Sequence, residues 1–114
     1  MNKVSIQKLL DAITTFRDER DWMEFTDLKD TAIATSLEAA ELLEHFKWKT
    51  PEQVQGYVVK HKSEIEDEMM DVIFNVLLMV EQLGTDVDKK FFEKMKKNEL
   101  KYPVRKVKGV NPHL

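Results

Sequence analysis

The sequence predicts an all-α fold, and three observations carry that prediction. Charged residues make up 34% of the chain against only 3 Gly and 3 Pro, a mix that favours long helices over strands joined by turns. Apolar residues recur at the i, i+3, i+4, i+7 spacing of one helical face. No stretch alternates apolar and polar residues as a half-buried strand would, and no internal repeat or low-complexity segment breaks the pattern. The length of 114 residues suits one compact domain, and 42% hydrophobic residues supply a core by composition.

The elements follow in order. Ile6, Leu9, Leu10, Ile13 and Phe16 share one face and set a first helix from about Ser5 to Arg20. The stretch DWMEFTD, Asp21 to Asp27, breaks the pattern and reads as a connector. A second helix runs from about Leu28 to Phe46. In TPEQ, Thr50 is placed to cap a helix, Pro51 takes its first position, and Gln53 lies three residues after the cap. That predicts a short helix from Pro51 to about Tyr57, with Gly56 as its weak point. The third long helix runs from about Lys60 to Leu83 and stops at Gly84. Asp86 caps a fourth, which reaches about Tyr102 and is ended by Pro103. Residues 1–103 then form the helical domain, and residues 104–114 read as an extended or disordered C-terminal tail.

Short connections between helices suggest antiparallel neighbours in a four-helix-bundle-like arrangement. The third helix is apolar on almost every side from Val72 to Val80, and such a helix must be covered all round. Three other long helices are too few for that, so part of the cover is expected from a second subunit.

Composition also excludes. The chain has no Cys, which removes disulfides and thiolate metal sites. Met1 to Leu10 lacks the apolar stretch of a signal peptide. The longest apolar run, Val72 to Val80, is nine residues interrupted by Asn75, far short of the roughly 20 a bilayer requires. The expectation is a soluble, cytoplasmic protein with no membrane partner. The net charge of −3 hides an asymmetry: nine Lys or Arg but two acids between Lys89 and Lys108, with the acids concentrated earlier, from Glu38 to Asp71. Net acidity and so short a basic segment speak against a nucleic-acid partner.

The acids are patterned. At about 100° per residue, Glu38, Glu41 and Glu44 form one stripe on the second helix, flanked by apolar side chains. On the third, Glu64, Glu68, Asp71 and Asn75 share a narrower stripe. The residues from Met69 onward are otherwise apolar until Glu81, and Glu66 and Asp67 point elsewhere, to solvent. A polar stripe on a helix that is apolar elsewhere belongs in a bundle interior or a cleft. Uncompensated carboxylates there cost several kcal/mol each or take up protons. Two facing stripes repel unless a cation lies between them, and hard oxygen ligands point to Mg²⁺ or a similar ion. A di-iron bundle needs Glu-x-x-His on two helices. That pattern is absent: His45 follows Glu41 by four residues, position 42 is Leu, and Val58 stands three residues before His61. Mg²⁺ in an all-oxygen site suggests phosphate chemistry. Lys94, Asn98 and Lys101 or Tyr102, spaced along one face of the basic fourth helix, are candidates to hold a polyphosphate.

Glu38-Ala-Ala-Glu41 followed by Glu68-Met-Met-Asp71 resembles the ExxE…ExxD signature of the MazG-like all-α nucleoside triphosphate pyrophosphohydrolases. RDW at Arg20 to Trp22, EAAELLEHFKW at Glu38 to Trp48, GTD at Gly84 to Asp86 and KMKKNELKYP at Lys94 to Pro103 resemble the dCTP pyrophosphatase branch. The similarity runs from about the first helix to Pro103. It implies Mg²⁺-dependent hydrolysis of a nucleoside triphosphate, such as dCTP or a modified dCTP, to the monophosphate and pyrophosphate. By matching position it implies Glu38, Glu41, Glu68 and Asp71 as metal ligands. One of them, Glu41 before Glu38, would also orient or deprotonate the attacking water. It implies Lys94, Asn98 and Tyr102 as nucleotide contacts, Trp22 and Trp48 as aromatic residues near the base, and a homotetramer or homodimer. Glu44 lies outside the signature, either an auxiliary ligand or a neighbour holding the site. The sequence also departs from the family: where members often read F-H-x-P-K-N-L, this chain has FTDLKDT, with Thr26, Leu28, Asp30 and Thr31 at the altered positions. Ile13 stands where some members carry His, and Asn75 where Tyr is frequent. The metal set is untouched, and the changes bear on base preference. A different reading of the stripes is a non-catalytic helical oligomerisation or adaptor module, with Lys60, Lys62 or Lys94 opposite the carboxylates.

Overall fold

The computed structural model describes residues 3–25 and 27–111, so Thr26 and the end of the tail lie outside the described residues. Five helices follow in chain order: α1 Ile6–Glu19, α2 Leu28–Glu44, α3 Pro51–Leu83, α4 Val87–Lys101 and α5 Val104–Val107. A single 3₁₀ turn, Met23–Phe25, occupies the connector after α1. No strand occurs among the described residues, and no helix among them is long and apolar enough to cross a membrane.

Side-chain caps set the helix starts. Ser5 accepts from the Lys8 backbone N–H, Asp27 from Asp30 and Asp86 from Lys89, each satisfying a donor that the first turn leaves open. At α3 the capping box is complete: Thr50 accepts from Gln53 N–H, and Gln53 Oε1 accepts from Thr50 N–H at 2.8 Å. Gly84 ends α3 with φ of 64°, in the left-handed region where a Cβ would add strain.

Two sequence expectations are corrected here. The short helix from Pro51 and the long helix that ends at Leu83 do meet at a kink, but it falls at His61 (φ −118°, ψ 21°), not between Tyr57 and Lys60 or at Gly56, and the two run on as α3. Glycine in a helix costs only about 1 kcal/mol, which the helix on either side outweighs. The His61 ring instead stacks on Tyr57, one turn earlier, at 4.1 Å between centroids, and its Nδ1 lies 3.2 Å from Glu64 Oε2. The tail is the second correction: Val104–Val107 close a helical turn after Pro103, with Val107 N–H donating to the Pro103 carbonyl.

The chain divides into two compact units, Met1–Gly84 and Thr85–Leu114. In the first, α1 and α2 both pack on α3. Ile13, Leu77 and Leu78 are its buried centre, with Leu10, Phe74 and Val80 packed around them. Phe16 meets Phe74 edge-on at 5.9 Å. No large side chain among the described residues is completely buried, and Ile33, Leu37, Leu43, Met70, Ile73 and Val76 of α2 and α3 remain exposed.

Arg17 is the exception to an apolar centre. It is 5% exposed, one turn past Ile13 on the packed face of α1. Its Nη1 donates to Glu81 Oε2 on α3 at 2.6 Å, and its Nε donates to Asp18 at 3.0 Å. A buried cation whose partner is removed leaves an uncompensated charge, at a cost of about 3 kcal/mol. Glu81→Leu should therefore destabilise the protein strongly in chemical denaturation, and Arg17→Met combined with Glu81→Leu should recover most of the loss.

Candidate functional site

The packing of α2 along α3 brings the two acidic stripes together. Glu38 and Glu41 stand one turn apart on α2, Glu68 faces them from α3, and one oxygen from each lies within 4.8 Å of the others. Glu38 and Glu68 are half-buried and Glu41 is exposed. Glu38 Oε2 and Glu68 Oε2 are buried without a hydrogen-bond partner, a rare condition for a polar atom. Burial raises the Glu38 pKa above 4.5, and the charges of Glu41 and Asp71 push it further in the same direction. Glu68 is raised likewise by burial, then by the neighbouring Glu41 carboxyl and the charge of Asp71. Among the described residues, no Lys or Arg lies within ion-pair distance of Glu38, Glu41 or Glu68. Convergent carboxylate oxygens with unpartnered lone pairs fit a hard divalent cation.

The remaining expected residues fall in different places. Asp71 lies one turn beyond Glu68, exposed, and acts on both raised carboxyls without joining the three-oxygen group. Asn75 Nδ2 donates to the Asp71 carbonyl at 3.1 Å. Glu44 is drawn away into an ion pair with Lys47 at 2.6 Å. Trp48 is 93% exposed at φ of 65°. It lines a cavity of about 570 Å³ with Lys49, Gln53, Tyr57, Lys60 and His61. Trp22 stands elsewhere, edge-on to Phe16 at 5.8 Å, so the structure does not gather the two tryptophans around that cavity. Lys94, Asn98 and Tyr102 belong to the second unit, on α4 and its C-cap. Lys94 and Asn98 stand one turn apart, and the Tyr102 N–H donates to the Asn98 carbonyl at 2.8 Å.

Sequence reasoning missed one polar contact between α3 and the C-cap of α2. A 2.6 Å hydrogen bond joins His45 Nδ1 to the Tyr57 hydroxyl. Half of its signal was legible, since His45 follows Glu41 by four residues and so extends the stripe by one turn. The approach of Tyr57 from α3 leaves no trace in local spacing.

A model of the MazG-like family matches residues 33–113. Rat dCTP pyrophosphatase 1 is 28% identical over 96 residues, which cover 82% of this chain and 56% of the rat protein. Human dCTP pyrophosphatase 1 is 29% identical over 90 residues, 77% of this chain and 53% of the human protein. The chain thus spans about half the length of the curated relatives it matches. The crystal structure of a pyrophosphatase from Archaeoglobus fulgidus superposes with a TM-score of 0.82 at 33% identity, over 90% of this chain and 96% of that one.

The raised carboxyls set a pH dependence. In the metal-free protein the folded state holds protons that the unfolded chain has given up. Their stabilising contribution is complete below about pH 4.5 and is lost as pH rises through the raised folded values. Glu38→Gln removes one charge from the group. Its melting temperature in EDTA should rise relative to wild type as pH goes from about 5 to about 7. Thermal denaturation across that range checks it.

Proposed function

This chain belongs to the MazG-like family, and on that premise we propose that it is a Mg²⁺-dependent nucleoside triphosphate pyrophosphohydrolase. The observation that carries the reading is the convergence of Glu38, Glu41 and Glu68, with two buried oxygens left unpartnered. Glu38, Glu41, Glu68 and Asp71 are the proposed ligands. Bound there, Mg²⁺ would supply neutralisation of charge on the triphosphate. Glu41, the exposed member of the group, orients a water molecule and takes one of its protons. The water oxygen bonds to the α-phosphorus, the bond from that phosphorus to the bridging oxygen breaks, and monophosphate and pyrophosphate leave. Relatives named dCTP pyrophosphatase make dCTP, or a modified dCTP, the first substrate to test. Trp48 offers an exposed ring beside a cavity of about 570 Å³, suited to stacking on a base. Lys94, Asn98 and Tyr102 keep the nucleotide-contacting role that the resemblance assigns them, as does Trp22 its place near the base. The adaptor reading needs cations opposite the carboxylates, and Lys60 and Lys62 make no ion pair with them.

A homo-oligomer, dimer or tetramer, is part of the same proposal. Its support is the apolar surface left open on α2 and α3 at Leu37, Leu43, Met70, Ile73 and Val76, more than a monomer ordinarily leaves to water.

Incubation with each dNTP and NTP, modified cytosines included, should yield monophosphate and pyrophosphate only when Mg²⁺ is present. Glu41→Gln should lower turnover by about a hundredfold or more with helical content unchanged in circular dichroism. No turnover of any nucleotide by the wild type would overturn the reading. In sedimentation velocity the wild type should run as an oligomer, and Ile73→Glu with Val76→Glu should shift it toward monomer.

A further inference from the structure

The cavity of about 570 Å³ is lined by Trp48 from the α2–α3 connection and by Gln53, Gly56, Tyr57 and Lys60 from α3. Spacings of three and four residues put these α3 positions on one helical face, with Gly56 in the middle of it. Nothing in the chain calls for a glycine there. Its backbone is helical, without the positive φ of Gly84, and a Cβ added to it would meet no atom within 4 Å. Glycine inside a helix is less favourable than alanine, so the bare position lowers stability and leaves room on the cavity face. Trp48, in the same lining, lowers stability too, with a left-handed backbone and an almost fully exposed ring. Tyr57 is already engaged: its ring stacks on His61 at 4.1 Å and carries the Lys49 ammonium at 4.2 Å from its centroid. Its hydroxyl lies 2.6 Å from His45 Nδ1. His45 is the C-cap of α2, one turn past Glu41, so a wall of the cavity is tied to the helix that carries Glu38 and Glu41. His61 pairs with Glu64, whereas Lys60 forms no ion pair among the described residues.

The geometry points to Gly56 as the position that sets the fit of a nucleotide in this cavity: the base stacks on Trp48 over the bare backbone of Gly56, and the Lys60 ammonium donates to a phosphate. This rests on the reading of Trp48 proposed above and adds two residues to it. A volume of about 570 Å³ is within the range of small-molecule sites. A backbone without a Cβ lets a flat ring approach closely, and any side chain at position 56 would occupy the space that the ring needs. A lysine ammonium is a compact point charge suited to a phosphate oxygen. Gly56 and Trp48 then have one explanation between them: each gives up helix or backbone stability, and each does so on the lining of the same cavity.

Titration calorimetry of the full chain with each of the four deoxynucleoside monophosphates, in Mg²⁺, tests the site without turnover, because a monophosphate has no anhydride bond to cleave. Gly56→Ala should raise the melting temperature by about 4 °C and yet weaken the monophosphate that the wild type binds best. Gly56→Leu should weaken it about tenfold or more. Lys60→Ala should weaken it severalfold, and Lys60→Arg should restore it. A purely structural role for Gly56 predicts higher stability with affinity unchanged, and a variant that melts later has not lost its ligand by unfolding. Wild-type affinity in both Gly56 variants, or in Lys60→Ala, would overturn the assignment. So would a wild type that binds none of the monophosphates, although hydrolysis of any triphosphate by the same sample would leave the enzymatic reading standing. Monophosphate binding that Gly56→Leu abolishes, in a wild type that hydrolyses no triphosphate, would sink the enzymatic reading and leave the nucleotide site standing.

Discussion

Mutual repulsion among carboxylates is the constraint around which the first unit is arranged. Glu38, Glu41 and Glu68 bring an oxygen each within 4.8 Å, and Asp71 adds its charge from the next turn. At that separation ionised groups oppose one another unless protons or cations intervene. The helices nonetheless stay together, because α2 packs along α3. Packing thus holds together what electrostatics would separate. Under the reading proposed above, the cation that resolves the conflict is also the one that meets the substrate.

The other end of α3 shows the same problem solved within the chain. Arg17 is as deeply buried as the apolar residues beside it, and Glu81 and Asp18 satisfy its guanidinium. Charges are balanced by side chains there. The carboxylate group differs in having no basic partner at ion-pair distance among the described residues. The unpaired oxygens on α2 and α3 are therefore a local property of one place, and not a general feature of how this chain buries charge.

Local chemistry made most of the helix plan legible. Ser5, Asp27, Thr50, Gly84 and Asp86 mark the boundaries because capping and left-handed backbone depend on one or two residues and their immediate neighbours. The stripes were legible too, since a spacing of three or four residues fixes a helical face. What failed depended on which side chains meet, near or far. Gly56 looked like a break, but the backbone departs at His61, where rings from neighbouring turns meet. Nothing in the sequence around Arg17 marks it as buried, because its partner Glu81 lies 64 positions away. Glu44 shares the stripe of Glu38 and Glu41, yet its partner is Lys47, chosen by the local turn after α2. Tyr57 meets His45 only because α3 folds back along α2.

Trp48 has a backbone that a glycine would adopt more cheaply. At φ of 65° an L residue gives up about 1–2 kcal/mol, and with its ring 93% exposed almost no burial offsets that loss. Folding alone would favour a smaller residue here. Under the reading proposed above, that loss of stability sets a flat aromatic face at the rim of the cavity that Lys49, Gln53 and Tyr57 also line, ready before a base arrives.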